Sequence, residues 1–144
     1  MAIRLNKPTE HTEQAAVIEW KLTMMGRYPE LELLHAIPNG AKLSYARNSK
    51  GERYSREAGK LIDEGLVRGV PDLSLPVGRG GYFGLYIEMK IKGNKTSPEQ
   101  EYFIELLRAQ NYCVRVCYGA DEAIREFLDY LHHLPTTEYL THRV

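Results

Sequence analysis

The chain has 144 residues, 43% of them hydrophobic and 26% charged, with 19 basic side chains balanced by 19 acidic ones. That length suits one domain with a real hydrophobic core, and neutrality confines any nucleic-acid surface to a local patch. No apolar run approaches the roughly 20 residues of a membrane span, and MAIRLNKPTEH lacks a signal-peptide core, so a cytosolic chain is expected.

Pro8-Thr9-Glu10 opens a helix, with Thr9 as N-cap and Glu10 favoured by the helix dipole. The helix is expected to run to about Met25 and stop at Gly26, with Ala15, Ile18, Leu22 and Met25 as its apolar stripe. On a helical wheel Glu10 lies at the border of that stripe and Glu13 far round, toward solvent. Leu31 to Ile37 reads as a strand, ended by Pro38-Asn39-Gly40.

GAKLSYARNSKGERYSREAGK follows, a segment with little apolar periodicity. It carries Lys42, Arg47, Lys50, Arg53, Arg56 and Lys60 against Glu52 and Glu57, with Tyr45 and Tyr54 among the charges. Basic residues mixed with aromatics and Gly/Ser turns suit a loop that contacts phosphates and exposed bases, so Lys42, Tyr45, Arg47, Lys50, Arg53, Arg56 and Lys60 are the candidate DNA-binding residues. A solvated loop is the alternative. Ser55 to Glu64 reads as a short helix, with Ser55 as cap, Ala58, Leu61 and Ile62 inward and Gly65 as the stop.

Val70 to Val77 and Tyr82 to Ile91 read as two strands of a hairpin closed by Gly78-Arg79-Gly80-Gly81. Pairing about Gly80 sets Asp72 opposite Glu88, with Cβ atoms roughly 4.5–5.5 Å apart. Two carboxylates so close are driven into different protonation states unless a cation lies between them. Lys90, two residues on, shares the face of Glu88. Two acids and an amine converging beside Val70, Leu73, Tyr86 and Ile87 suit a hard divalent cation beside a reactive water. An isolated ExK would read as a solvated sheet face. The hairpin-spaced PD before it favours a site.

Ser97-Pro98-Glu99-Gln100 is a helix start with Ser at the cap, Pro at the first position and Gln at the third, a capping box. Gln100 therefore has a structural reason to be there, and its amide could also touch the candidate metal site. Phe103, Leu106 and Leu107 are expected inward, to about Gln110. Tyr112 to Tyr118 reads as a strand and Ala123 to about Leu131 as a helix with Ile124, Phe127, Leu128 and Leu131 inward. The tail, about 132–144, has a breaker at Pro135 and no clear element, and the adjacent His132 and His133 suggest no metal. Cys113 and Cys117 are separated by roughly 13 Å in an extended strand, too far for a disulfide, and are expected to pack. The whole is one α/β domain, 1–144, with a mixed central β-sheet flanked by helices.

In order and motifs the chain resembles the PD-(D/E)XK nuclease superfamily, and within it a stand-alone VRR-NUC domain, the virus-type replication-repair nuclease. The resemblance is carried by EHTEQAAVIEW, HAIPNG, GVPDL, YIEMK, SPEQ and YCVRVCYGADEAIREFLDYL. It implies a restriction-endonuclease-like core and a metal-dependent, structure-selective DNA endonuclease, resolving Holliday junctions or other branched DNA. It implies Asp72, Glu88 and the Met89 carbonyl as ligands of Mg²⁺ or Mn²⁺, and Lys90 orienting or deprotonating the attacking water. Glu10 is the early-helix acid, with Glu13 the alternative, and Gln100 holds the position of the family's site-supporting glutamine. Small viral and bacterial members act as two-fold dimers, so a homodimer is expected, in a host's cytosol if the chain is viral. A flap- or end-directed nuclease and a non-catalytic DNA-binding module are the other readings.

Overall fold

In the computed structural model, residues 6–38, 46, 47, 49–51 and 53–141 are described. Helix α1 (Glu10–Met24) is capped by Thr9, which exchanges hydrogen bonds with Thr12. A 3-10 helix at Pro29–Leu33 leads into β1 (His35–Ala36). A two-stranded hairpin follows, β2 (Ala46–Arg47) with β3 (Arg53–Tyr54), then α2 (Arg56–Asp63), capped by Ser55. Strands β4 (Leu73–Leu75) and β5 (Leu85–Lys90), helix α3 (Pro98–Ala109), strand β6 (Cys113–Tyr118), helix α4 (Ala120–Leu131) and helix α5 (Thr136–Thr141) complete the chain.

The main sheet is ordered β1-β4-β5-β6. Strand β4 pairs antiparallel with β1 and with β5, while β5 and β6 run parallel. Helix α3 makes the crossover between them, as a parallel connection requires. Helices α1 and α4 pack on one another and on β5. Trp20 of α1 stacks near Phe127 of α4. Val17, Leu31, Leu73, Ile87, Met89, Cys117 and Phe127 form the dry centre.

Strand β5 is buried at five of its six positions. A strand covered that thoroughly offers little water to any ionised group it carries. The β4–β5 register pairs Leu73 with Ile87, Ser74 with Tyr86 and Leu75 with Leu85, each pair equidistant from Gly80. The C-terminal segment clamps the tip of this hairpin. Gly80 donates to the Leu134 carbonyl, Thr136 N–H to that of Gly78, the Thr136 hydroxyl to that of Tyr82, and Tyr130 OH to that of Val77.

Several local expectations need correction. Leu31 to Ile37 is not a strand. Pro29 starts a 3-10 turn, and only His35 and Ala36 pair. The inward face of α1 is centred on Val17, with Trp20 and Met24; of the expected stripe Ile18 and Met25 pack against the core, while Ala15 and Leu22 are exposed. Lys21 shares that inward face and donates its ammonium to the Leu34 carbonyl. Glu13 is half-buried rather than solvated, its Oε1 3.6 Å from where a Cβ on Gly119 would stand. Ile62 and Leu106 are exposed, and Ile104 is the buried residue of α3. Within the tail Thr136–Thr141 forms α5, and Ala46–Arg47 pairs with Arg53–Tyr54 where an open loop is expected.

Candidate active site

Asp72 stands just before β4, and continuing the observed register by one residue sets it opposite Glu88. The even-numbered backbone groups of β5 turn to β6: Gly84 O accepts from Cys113 N–H and Lys90 O from Gly119 N–H. The Asp72–Glu88 position is therefore a non-hydrogen-bonded pair, the kind that brings side chains closest. Asp72 is 6%, Glu88 2% and Lys90 7% exposed. Asp72 Oδ2 accepts the Met89 N–H at 2.8 Å, so its side chain occupies the place a ladder partner would take. The Met89 carbonyl projects from the same edge of β5 as that N–H, toward Asp72.

Glu88 Oε1 accepts the Gln100 amide at 2.7 Å and lies 3.6 Å from Lys90 Nζ. The Gln100 carbonyl oxygen is held at 2.8 Å by Ser97 N–H, so the capping box of α3 also aims the amide NH₂ at Glu88. Lys90 Nζ lies 3.8 Å from Glu10 Oε1, which also accepts from Asn94 Nδ2 at 3.1 Å. Glu10, Asp72, Glu88, Lys90 and Gln100 are thus drawn together by α1, the hairpin and the first turn of α3. Glu13 Oε1 stands instead beside Gly119. Asn94 and Ser97 are contributors the candidate set omits. Ser97 was legible as a cap, but nothing about Asn94 in sequence points to Glu10.

Burial first, and then the negative charge of Asp72, push the Glu88 carboxyl up to about 8, against the opposing pull of Lys90. Contact with the Asp72 carboxyl and the charge of Glu10 push the same way. Glu88 Oε2 is buried without a hydrogen-bond partner. Two ionised carboxylates cannot hydrogen-bond each other. A proton on one, or a cation between them, resolves both the repulsion and the orphaned oxygen.

Among the described residues no group of three His, Cys, Asp or Glu side chains is gathered into a metal-binding cluster. The donor set is two carboxylates and a peptide oxygen. It suits a hard cation that keeps several waters. Three carboxylates (Glu10, Asp72, Glu88) against one ammonium (Lys90) leave two net negative charges when all are ionised, the charge a divalent ion offsets.

Of the candidate DNA-binding residues, Arg56 and Lys60 lie exposed on α2 and Lys50 is exposed in the β2–β3 turn. Arg47 and Arg53 are directly paired in the β2–β3 backbone. Lys42 and Tyr45 lie outside the described residues. No helix among the described residues is long and apolar enough to cross a membrane.

A four-stranded mixed sheet flanked by helices, with PD at the start of one hairpin strand and ExK at the end of the next, defines an α/β nuclease-type core of the restriction-endonuclease-like kind. The VRR-NUC domain family model matches residues 10–121, and the chain belongs to that family. A solved structure described as a VRR_NUC domain protein is similar over 88% of this chain and 91% of its own, with 30% identity and a TM-score of 0.68. Among curated proteins none matches the chain.

Proposed function

We propose that this protein is a metal-dependent, structure-selective DNA endonuclease that hydrolyses phosphodiester bonds in branched DNA, four-way junctions foremost, as a homodimer. The observation that carries the reading is the buried, unpartnered Glu88 Oε2 on a strand whose register sets Glu88 opposite Asp72, with Lys90 alongside. Asp72, Glu88 and the Met89 carbonyl would hold Mg²⁺ or Mn²⁺. Such an ion supplies Lewis acidity that makes water nucleophilic near neutral pH and offsets phosphoryl charge.

The remaining work belongs to the chain. Glu10 and Glu88 hold the Lys90 ammonium between them, where it can orient the attacking water, take up its proton or face the developing phosphate charge. Gln100 fixes the rotamer of Glu88. The exposed Lys50, Arg56 and Lys60 would bind the DNA backbone, with the rest of the basic segment, Lys42, Tyr45, Arg47 and Arg53. One site makes one nick, so paired cuts in a symmetric junction require two protomers.

The test is labelled four-way junction with Mg²⁺ or Mn²⁺, run beside flap and splayed-arm substrates. Paired symmetric cuts in the junction support the reading. Cleavage confined to flaps or ends moves the substrate class, and salt-sensitive binding without cleavage by folded protein defeats the enzymatic reading.

A further inference from the structure

We infer that Gly69 is a positioning residue of this site: through it the first turn of α3 is seated so that Gln100 reaches Glu88. The inference rests on the metal-site reading above. Gly69 has φ +91°, and a Cβ there would lie 2.5 Å from the Glu99 carbonyl oxygen, 2.7 Å from the Glu99 carbonyl carbon and 3.0 Å from the Gln100 nitrogen. Those are backbone atoms of a helix start, so no rotamer change clears them. The contact is between two segments far apart in sequence: Gly69 lies three residues before Asp72, and Gln100 lies in the first turn of α3.

The Gln100 amide has no spare reach. Its oxygen is pinned by Ser97 N–H at 2.8 Å and its nitrogen meets Glu88 at 2.7 Å. A methyl at position 69 must part the loop that carries Asp72 from the helix that carries Gln100. Moving the first turn of α3 away lengthens the Gln100–Glu88 bond. Gly65 separates this effect from backbone strain. It has φ +107°, yet nothing lies within 4 Å of its Cβ position. An alanine there carries the left-handed conformation penalty without the collision.

The experiment compares Gly69→Ala with Gly65→Ala and with Gly69→Ala/Gln100→Ala. It reads Mn²⁺ affinity by calorimetry and the Gln100 side-chain amide signal by NMR, in trimethylamine oxide if needed to keep the variants folded. Gly69→Ala is expected to weaken Mn²⁺ binding about tenfold, the scale of losing an outer-shell partner. The Gln100 amide should also lose its protection from exchange. Gly65→Ala should keep both at the wild-type level, and adding Gln100→Ala to Gly69→Ala should cost nothing more. Wild-type affinity and an unchanged amide signal in Gly69→Ala overturn the inference. So does a Gly69→Ala chain that stays unfolded where Gly65→Ala is folded, which makes the glycine a purely structural requirement. Wild-type protein that binds no Mn²⁺ defeats the metal reading instead, and the amide signal still decides the role of Gly69.

Discussion

Gln100 donates to Glu88 with one end of its amide while the other end caps its own helix at Ser97. The two bonds are separable by substitution. Glutamate at the third helical position accepts a cap N–H as well as glutamine does, but it has no donor for Glu88. Gln100→Glu should therefore keep the cap bond but set a further carboxylate against buried Glu88, lowering the metal-free melting temperature through like-charge repulsion that Mn²⁺ relieves. Gln100→Ala should lose both, adding about 1 kcal/mol of destabilisation. Melting curves and calorimetry on the two variants check the separation.

The raised Glu88 carboxyl predicts the sign of the metal-free pH dependence. Its folded value, about 8, exceeds the ordinary 4.5, so between those values the folded state keeps a proton that the unfolded state has lost. Stability of the metal-free protein should fall as pH rises across this window, by up to a few kcal/mol. It should be highest below about pH 4.5 as far as this group is concerned. A divalent ion that binds the ionised pair opposes the loss, so Mg²⁺ should raise the melting temperature more at pH 8 than at pH 5. Thermal scans with and without Mg²⁺ test this. A metal-induced shift larger at pH 5 than at pH 8 would contradict it.

Lys90 has a different expected signature. It is 7% exposed and shared between Glu10 and Glu88. Lys90→Met keeps the length and apolar stem of the side chain, removes the positive charge that competes with a cation, and leaves the acids in place. Cleavage of the DNA substrate should fall by about 10²-fold or more, while Mn²⁺ affinity stays the same or tightens. Single-turnover cleavage and calorimetry on one preparation distinguish this from a general loss of structure, which would reduce both.

The hairpin was the most legible part of the molecule because strand pairing obeys a period of two and a central Gly-rich turn sets its centre. Leu73 opposite Ile87 is the register that symmetry about Gly80 predicts. The capping box of α3 was legible for a similar reason: Ser97 and Gln100 interact within one turn. The face of α1 was legible only in part: Ile18 and Met25 pack on the core and Glu10 stands at the edge that reaches Lys90, but Glu13 is half-buried, and Lys21 is drawn inward by the Leu34 carbonyl, a long-range contact that hydropathy cannot register. Helix α5 escaped notice because its six residues make sense only against the hairpin tip they clamp.

The surroundings of Lys90 bear directly on which early-helix acid serves the site. Glu10 Oε1 lies 3.8 Å from Lys90 Nζ and is steadied by Asn94 at 3.1 Å, whereas Glu13 Oε1 stands next to Gly119, at the start of α4. Glu10→Gln removes one negative charge from the group around Lys90 and keeps the side chain's size. It should lower cleavage by about 10-fold or more and steepen the dependence on Mg²⁺ concentration. Glu13→Gln should leave cleavage within about 2-fold of wild type, because its carboxyl stands beside Gly119 whereas Glu10 holds the Lys90 ammonium. Because the glutamine in Glu10→Gln can still bond Asn94, an activity loss there reports charge rather than a broken contact. Metal titrations of cleavage for both variants check the assignment, and a larger loss in Glu13→Gln would move the early-helix role to Glu13.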